Sequence, residues 1–241
     1  MRLEWGRDGA ARAAARGDIV VIVDVLSFST AAVLATERGA TVYPAASYEQ
    51  AAEIAAQVGG EASVPRSDVP SKGRFSLSPA TLLHADAATS IVLTSPNGAT
   101  CCVLADNAPV VAIGALVNAR ATGEFLSRSL ANGGPSVSVV ACDERWTSPV
   151  LDGDLRFALE DYLGAGAIIG EILAPHSPEA AVCANAYRAT ANVEATLREC
   201  ASGLELARLG YAGDVAHAAR INSVATVALL SKGRIAAHAD V

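Results

Sequence analysis

The chain of 241 residues predicts an α/β layered fold (α/β/α), a parallel or mixed sheet flanked by helices. Three observations carry this prediction. Apolar, β-branched runs alternate with helix-patterned segments, the rhythm of successive βα units. Hydrophobic residues make up 51% of the sequence and aromatics only 5%. Ala and Val dominate, which suits helices packed against a sheet buried on both faces. Four apolar runs also stop in a short polar loop before a helix: Asp24–Thr30 (DVLSFST), Ser95–Thr100 (SPNGAT), Gly114–Ala119 (GALVNA) and Cys142–Trp146 (CDERW). In open α/β sheets, ligands collect where strand carboxyl ends meet helix N-termini, and free backbone N–H groups there suit an anion. These four ends are therefore expected to hold a small anionic molecule.

Taken in order, residues 8–17 are Ala/Arg-rich and predict a short helix. Ile19–Leu26 (IVVIVDVL) predicts a buried strand interrupted only by Asp24. Ser29 or Thr30 then caps a helix through about Arg38, stopped by Gly39. TVYPAA predicts a second strand and SYEQAAEIAAQVGG a helix with a Gly-Gly end. Residues 61–80 are dense in Pro, Ser and Gly and read as a long loop, a kind that is often functional. SIVLTSPNG is strand then turn, with a helix from near Ala99. PVVAIGAL is a strand followed by the helix NARATGEFLSRSLANGG. SVSVVACD is a further strand, and LRFALEDYLGAGAIIGEIL reads as helix. From Ser177 to Leu209 the pattern is nearly all helical, with a weak spot at Ser202-Gly203. The tail reads as the helix DVAHAARINSVATVALL plus a short final segment. No Pro/Ser linker divides the chain, so 1–241 reads as one unit, with two intertwined α/β subdomains as the alternative.

Composition removes several classes. The net charge is −7 and no Lys/Arg block occurs, so a nucleic-acid partner is not expected. No run approaches the roughly 20 apolar residues of a membrane span, and the N-terminus lacks the apolar core of a signal peptide. Five cysteines, Cys101, Cys102, Cys142, Cys183 and Cys200, form no CxxC or zinc spacing and suit a reducing cytoplasm. His84, His176, His217 and His238 show no metal-ligand spacing. A homo-oligomer is left open.

Five ordered segments, VVIVDVLSFSTA, FSLSPATL, LTSPNGAT, IGALVNARA and VVACDERW followed by LRFALEDYLGAGAII, resemble the ComB family, the 2-phosphosulfolactate phosphatases, over residues 18–170. The resemblance implies a Mg²⁺-dependent phosphatase that converts (R)-2-phospho-3-sulfolactate to 3-sulfolactate and phosphate. Two departures stand out: many relatives carry Arg after DVL where this chain has Ser27, and many carry Asn before the Ser-Pro step where it has Leu77. The missing guanidinium would suit a phosphate or sulfonate, and Arg66, Arg74 or Arg145 could replace it, Arg66 being favoured because its long loop can fold over the strand ends. The rivals are a ComB-like binding protein without catalysis, or a phosphatase for another small phosphorylated acid.

The candidate residues follow. Asp24, at an apolar strand end, needs a metal, a cation or helix N–H groups; with Asp143 it is the expected Mg²⁺ ligand, and Asp24, Asp143 and Glu144 are the expected catalytic carboxylates. Ser29, Thr30, Ser95, Asn97, Gly98 and Asn118 are expected to bind the substrate, with Gly98 relieving a positive φ in the turn. Arg66, Ser78 and Arg145 are the remaining substrate contacts; Ser78 can also cap a helix, the preferred reading. Of Glu160 and Asp161, at most one is expected to face the site and the other solvent. Asp214 and Asn222 enter only through polar residues in the family's tail. Cys142 is rejected as a nucleophile. A cysteine phosphatase loop needs Cys-x5-Arg, and here Ser148 occupies the Arg position with Pro149, which has no N–H, after it.

Overall fold

The structure is a computed structural model that describes residues 1–148, 151 and 153–238. Pro149 lies outside the described residues. The strands are β1 (Arg2–Trp5), β2 (Ile19–Val23), β3 (Thr41–Ala45), β4 (Glu61–Ala62), β5 (Ser90–Thr94), β6 (Val111–Gly114), β7 (Val137–Ala141), β8 (Glu144–Arg145), β9 (Leu155–Arg156), β10 (Ala228–Ser231) and β11 (Arg234–Ala237). The helices are α1 (Gly6–Ala15), α2 (Phe28–Glu37), α3 (Tyr48–Val58), α4 (Pro79–Leu82), α5 (Gly98–Leu104), α6 (Ala119–Ala131), α7 (Leu159–Gly170), α8 (Pro178–Ala189), α9 (Val193–Glu199), α10 (Ala201–Arg208) and α11 (Ala212–Ala218).

Nine strands form one sheet in the order β1-β7-β2-β6-β10-β11-β3-β5-β4. Helices cover both faces, so the fold is the layered α/β/α arrangement. Within β2, Val20 and Ile22 point into one core with α1, α2 and α5, while Ile19, Val21 and Val23 point into the other with α6, α7 and α8. That alternation is the period-2 geometry of a strand buried on both sides.

The first four strands in this order are mutually parallel, and so are the last three. The β10–β11 hairpin joins them through three antiparallel pairings, so the two halves run in opposite directions. It also corrects the expectation of a helix over 214–230. Helix α11 ends at Ala218, and the apolar ALL and RIAA segments pair across a turn in which Lys232 and Gly233 have φ of 52° and 73°. A short apolar run cannot be told from helix by periodicity alone, and the turn supplies the discriminating signal.

Three smaller differences share that kind of cause. Leu155–Arg156 pairs with β8 as strand rather than opening α7. Ser177–Leu209 divides into α8, α9 and α10, with Ser177, Asn192 and Cys200 accepting capping bonds from Ala180, Ala195 and Gly203. Ser202-Gly203 therefore sits in the first turn of α10 and does not break it. The long 61–80 loop contains β4, a 3₁₀ turn at Arg66–Asp68 and the first two residues of α4.

From β2, the order reaches β5 in five steps, about 24 Å on a flat sheet at roughly 4.8 Å per strand. Yet Ser95 after β5 donates to Asp24 after β2 at 3.1 Å. The sheet therefore twists and bends around α2, which packs against β6, β10, β11 and β3, and around α5, which packs against both β3 and β2.

Ile235 of β11 is fully buried and is the residue paired with Val42 where the two halves join. Ile235→Ala is expected to cost about 2–5 kcal/mol, measured by urea denaturation. A loss below about 1 kcal/mol would show that the joint tolerates a cavity at this position.

Candidate active site

Asp24 follows five fully buried strand residues and is itself buried. Its Oδ2 accepts from the Gly98 N–H at 2.8 Å and the Ser95 hydroxyl at 3.1 Å, and its Oδ1 from the Phe28 N–H at 3.2 Å. Two helix N-termini, of α2 and α5, thus converge on one carboxylate. Burial pushes the Asp24 carboxyl above the usual carboxylate range, and the Gly98, Phe28 and Ser95 donors pull it back only in part.

Gly98 does not have the positive φ expected of it. What it provides is space: a Cβ there would lie 2.5 Å from Phe28 Cδ1 and 2.7 Å from Asp24 Oδ2. Without a side chain, the first N–H of α5 can reach the acid.

Glu144 faces the same cavity and accepts from Asn97 Nδ2 at 2.9 Å. Its carboxyl is raised to about 7, chiefly by burial and then by the charges of Asp24 and Glu160. Asp143 behaves differently from its expectation. It has φ 56°, and its carboxylate accepts from the Ala158 N–H at 3.0 Å, outside the residues that line the cavity. The left-handed backbone turns it toward the α7 entry, and Glu144 stands beside Asp24 in its place. Burial raises the Asp143 carboxyl to about 6.

Glu160 and Asp161 are both buried, which corrects the expectation that one faces solvent. Asp161 accepts from the Val25 N–H at 2.7 Å and the Asp143 N–H at 2.9 Å, so one carboxylate ties the β2 loop to the β7 loop. Glu160 turns the other way and accepts from the Cys200 thiol at 3.3 Å.

Arg66, from the 3₁₀ turn of the long loop, lines the cavity with Asp24 and Asn97. Its Nη2 donates to Ser27 Oγ at 2.7 Å and its Nε to Asp214 at 2.8 Å, and its guanidinium lies 5.6 Å from the Tyr211 ring centroid. Asp214 also accepts from the Ser78 hydroxyl at 2.5 Å. Ser78 therefore does not cap α4, although it stands at the cap position.

Several expected contacts lie elsewhere, because their polar atoms are used by the backbone. Ser29 donates to the Ile22 carbonyl and Thr30 to the Val25 carbonyl, both fully buried. Asn118 accepts from the Ala115 N–H and donates to the Ile113 and Thr226 carbonyls, pinning the C-terminal segment. Asn222 accepts from the Arg120 N–H. Arg74 pairs with Glu61 at 2.8 Å and is exposed. Arg145 enters a neighbouring cavity rather than this one. Cys142 is buried beside Cys101, and burial pushes its thiol well up, unlike a nucleophilic thiolate.

The cavity itself holds about 210 Å³. Its remaining wall is formed by Ser202, Glu205 and Leu206 on one face of α10 and by Leu209 at its C-cap, none of them a candidate from the sequence. Their i, i+3, i+4, i+7 spacing is a visible signal, but it equally describes a helix face buried in a core.

The donor set fits a hard divalent cation. Asp24 and Glu144 supply carboxylate oxygens, and Asn97 Oδ1 is buried with no hydrogen-bond partner. Among the described residues no three His, Cys, Asp or Glu side chains form a metal cluster. Two carboxylates and an amide oxygen are the kinds of oxygen donor that hard divalent cations take. Among the described residues no helix is long and apolar enough to cross a membrane.

The profile of the 2-phosphosulpholactate phosphatase family matches residues 8–233. A relative from Carboxydothermus hydrogenoformans, named probable 2-phosphosulfolactate phosphatase, is 30% identical over 230 residues, covering 90% of this chain and 88% of the relative. With the strand-end loops of both sheet halves gathered around one carboxylate, these matches have a structural counterpart: the chain belongs to the 2-phosphosulfolactate phosphatase family, which is a family of phosphoric monoester hydrolases.

Proposed function

We propose that the chain hydrolyses (R)-2-phospho-3-sulfolactate to 3-sulfolactate and phosphate, with Mg²⁺ as cofactor. The observation that carries this reading is the meeting of Asp24, Asn97, Glu144 and Arg66 around one small cavity. Arg66 also answers the departure at Ser27. Its guanidinium donates to the Ser27 hydroxyl, so a cation is supplied from the long loop at the position where relatives carry Arg. That weakens one of the two motives for a binding-only protein, the departure at Leu77 being the other.

Asp24, Glu144 and Asn97 would hold the metal. When bound, Mg²⁺ supplies charge neutralisation and polarisation at the phosphoryl oxygens. Arg66 pairs with an anionic group of the substrate, its planar fork suited to phosphate or sulfonate oxygens. Leu26, Leu77, Leu206 and Leu209 confine the cavity and limit the water around the reacting group. The fold's own donors fix the orientation of Asp24, with one bond to Oδ1 and two to Oδ2, and the attacking group in this reading is water. Addition of water at phosphorus and departure of the substrate oxygen, with a proton, balance the reaction.

Asp24→Asn should lower kcat/KM by about 10²–10³-fold with an unchanged far-UV circular dichroism spectrum; near-normal turnover would remove Asp24 from the machinery. Arg66→Ala should raise KM by about ten- to a hundredfold, the equivalent of one charge-assisted bond of roughly 1.5–3 kcal/mol, with a smaller effect on kcat. Arg66→Lys should recover part of that loss, and an unaltered KM in both variants would assign Arg66 to holding Asp214 alone. Chelation should abolish phosphate release from a panel of phosphorylated hydroxy acids and added Mg²⁺ should restore it. Activity that survives chelation would reject the cofactor, and no release from any acid on the panel would favour the binding protein.

A further inference from the structure

We propose that Arg7, Arg145 and the N-terminus of α1 form a second binding site, for a small oxyanion of the phosphate, sulfonate or carboxylate class, adjacent to the candidate active site and separate from it. The starting point is the alternation of β8. Neighbouring residues of a strand point to opposite sides, so Glu144 enters the first cavity and Arg145 a second one of about 290 Å³. Arg7, Gly6, Trp5, Asp8 and Asp154 contribute to the same cavity.

Both guanidinium groups there are incompletely satisfied. The Nε atoms of Arg7 and Arg145 are buried and have no hydrogen-bond partner. The Arg145 side chain is only 15% exposed, and its ion pair with Asp154 is long, 3.8 Å, beyond hydrogen-bonding distance. Its Nη1 reaches the Glu144 carbonyl at 3.4 Å, near the limit of a useful bond. Arg7 places Nη2 on the Pro96 carbonyl at 2.8 Å, leaving Nε without an acceptor. A buried donor without an acceptor is costly, and more so on a charged group.

The helix adds to the imbalance. Helix α1 has ten residues, and its N-cap is Trp5, which makes no side-chain capping bond. The Arg145 guanidinium nitrogens lie 3.5 and 3.6 Å from where a Cβ of Gly6 would stand, so a cation packs over the positive end of a helix. Among the described residues, the carboxylates that line this cavity do not cancel this: Asp8 is exposed, and the Asp154 side chain is 52% exposed and screened by water. An oxyanion in the cavity would face the two arginines that line it and complement the helix end at once.

The wall between the two sites is thin. Arg7 holds Pro96, next to Asn97, and Asn97 holds Glu144, next to Arg145. The second site nonetheless stands on its own residues and does not depend on the proposed reaction.

Isothermal titration of the purified, metal-free full chain with inorganic phosphate, repeated with sulfate and acetate, tests the proposal. The expected result is two equivalents of phosphate per chain. Arg7→Gln/Arg145→Gln should weaken one of them at least tenfold, and Arg66→Gln should weaken the other. Arg7→Gln alone serves if the double variant does not fold by circular dichroism. Loss of the Arg7/Arg145-dependent equivalent with no effect of Arg66→Gln would count against the proposed function and leave the second site standing. A single equivalent in the wild-type chain that responds only to Arg66→Gln would overturn the second site, as would two equivalents that persist unchanged in the Arg7 and Arg145 variants. Sulfate and acetate titrations distinguish a phosphate-selective site from one open to the whole oxyanion class.

Discussion

The whole arrangement depends on one buried carboxylate being satisfied from two directions. Asp24 ends β2, in one half of the sheet, and two of its three donors, Ser95 and Gly98, follow β5 in the other. Nothing in the strand order places these ends together, since the halves run in opposite directions and are separated by a hairpin. The desolvation of Asp24 makes their meeting necessary: a carboxylate at the end of a fully buried strand is tolerated only with donors in place. The small volume of Gly98 then fixes how closely α5 can approach.

Negative charge is handled around this point by division of labour. Asp161 spends its carboxylate on the backbone of two loops, and Asp143 on the entry to α7, so both act on geometry. Glu144, tied to the protein through Asn97, remains beside Asp24 in the cavity. Burial is the main cause that keeps both carboxyls raised, with the charge of Glu160 adding to each and that of Asp24 adding at Glu144, a condition that a cation relieves. Arg66 supplies positive charge from the opposite wall, but its orientation is borrowed from Asp214 and Ser27. A single arginine on a long loop thereby gains a fixed direction without a strand or helix of its own.

Much of this was legible in the sequence, and the failures are instructive. Asp24 stood out because a carboxylate interrupts an apolar run, and SPNG because it is a turn at a strand end. Arg66 was readable as a candidate because its loop is long and positioned to fold back. Asp143 and Asn118 misled for a common reason: a polar residue at a strand end serves backbone groups as readily as a ligand, and only the local φ or the partner decides. The β10–β11 hairpin was hidden because its strands are short, apolar and far in sequence from the strands they join. The α10 wall was hidden because a helix face lining a cavity has the same pattern as one facing a core.

The hairpin has a consequence for how the protein is made. Residues 228–237 follow every other strand among the described residues, yet they occupy the centre of the sheet. During synthesis, the two parallel halves can pack on the helices they share, α2 and α5, but they cannot be joined edge to edge until β10 and β11 have emerged. Until then β6 and β3 present unpaired edges, the kind of surface that recruits foreign strands. Contacts of such large sequence separation also form slowly. The nascent chain thus carries two exposed edges until residues 228–237 emerge, and a pocket assembled from both halves gains its joined sheet only afterwards.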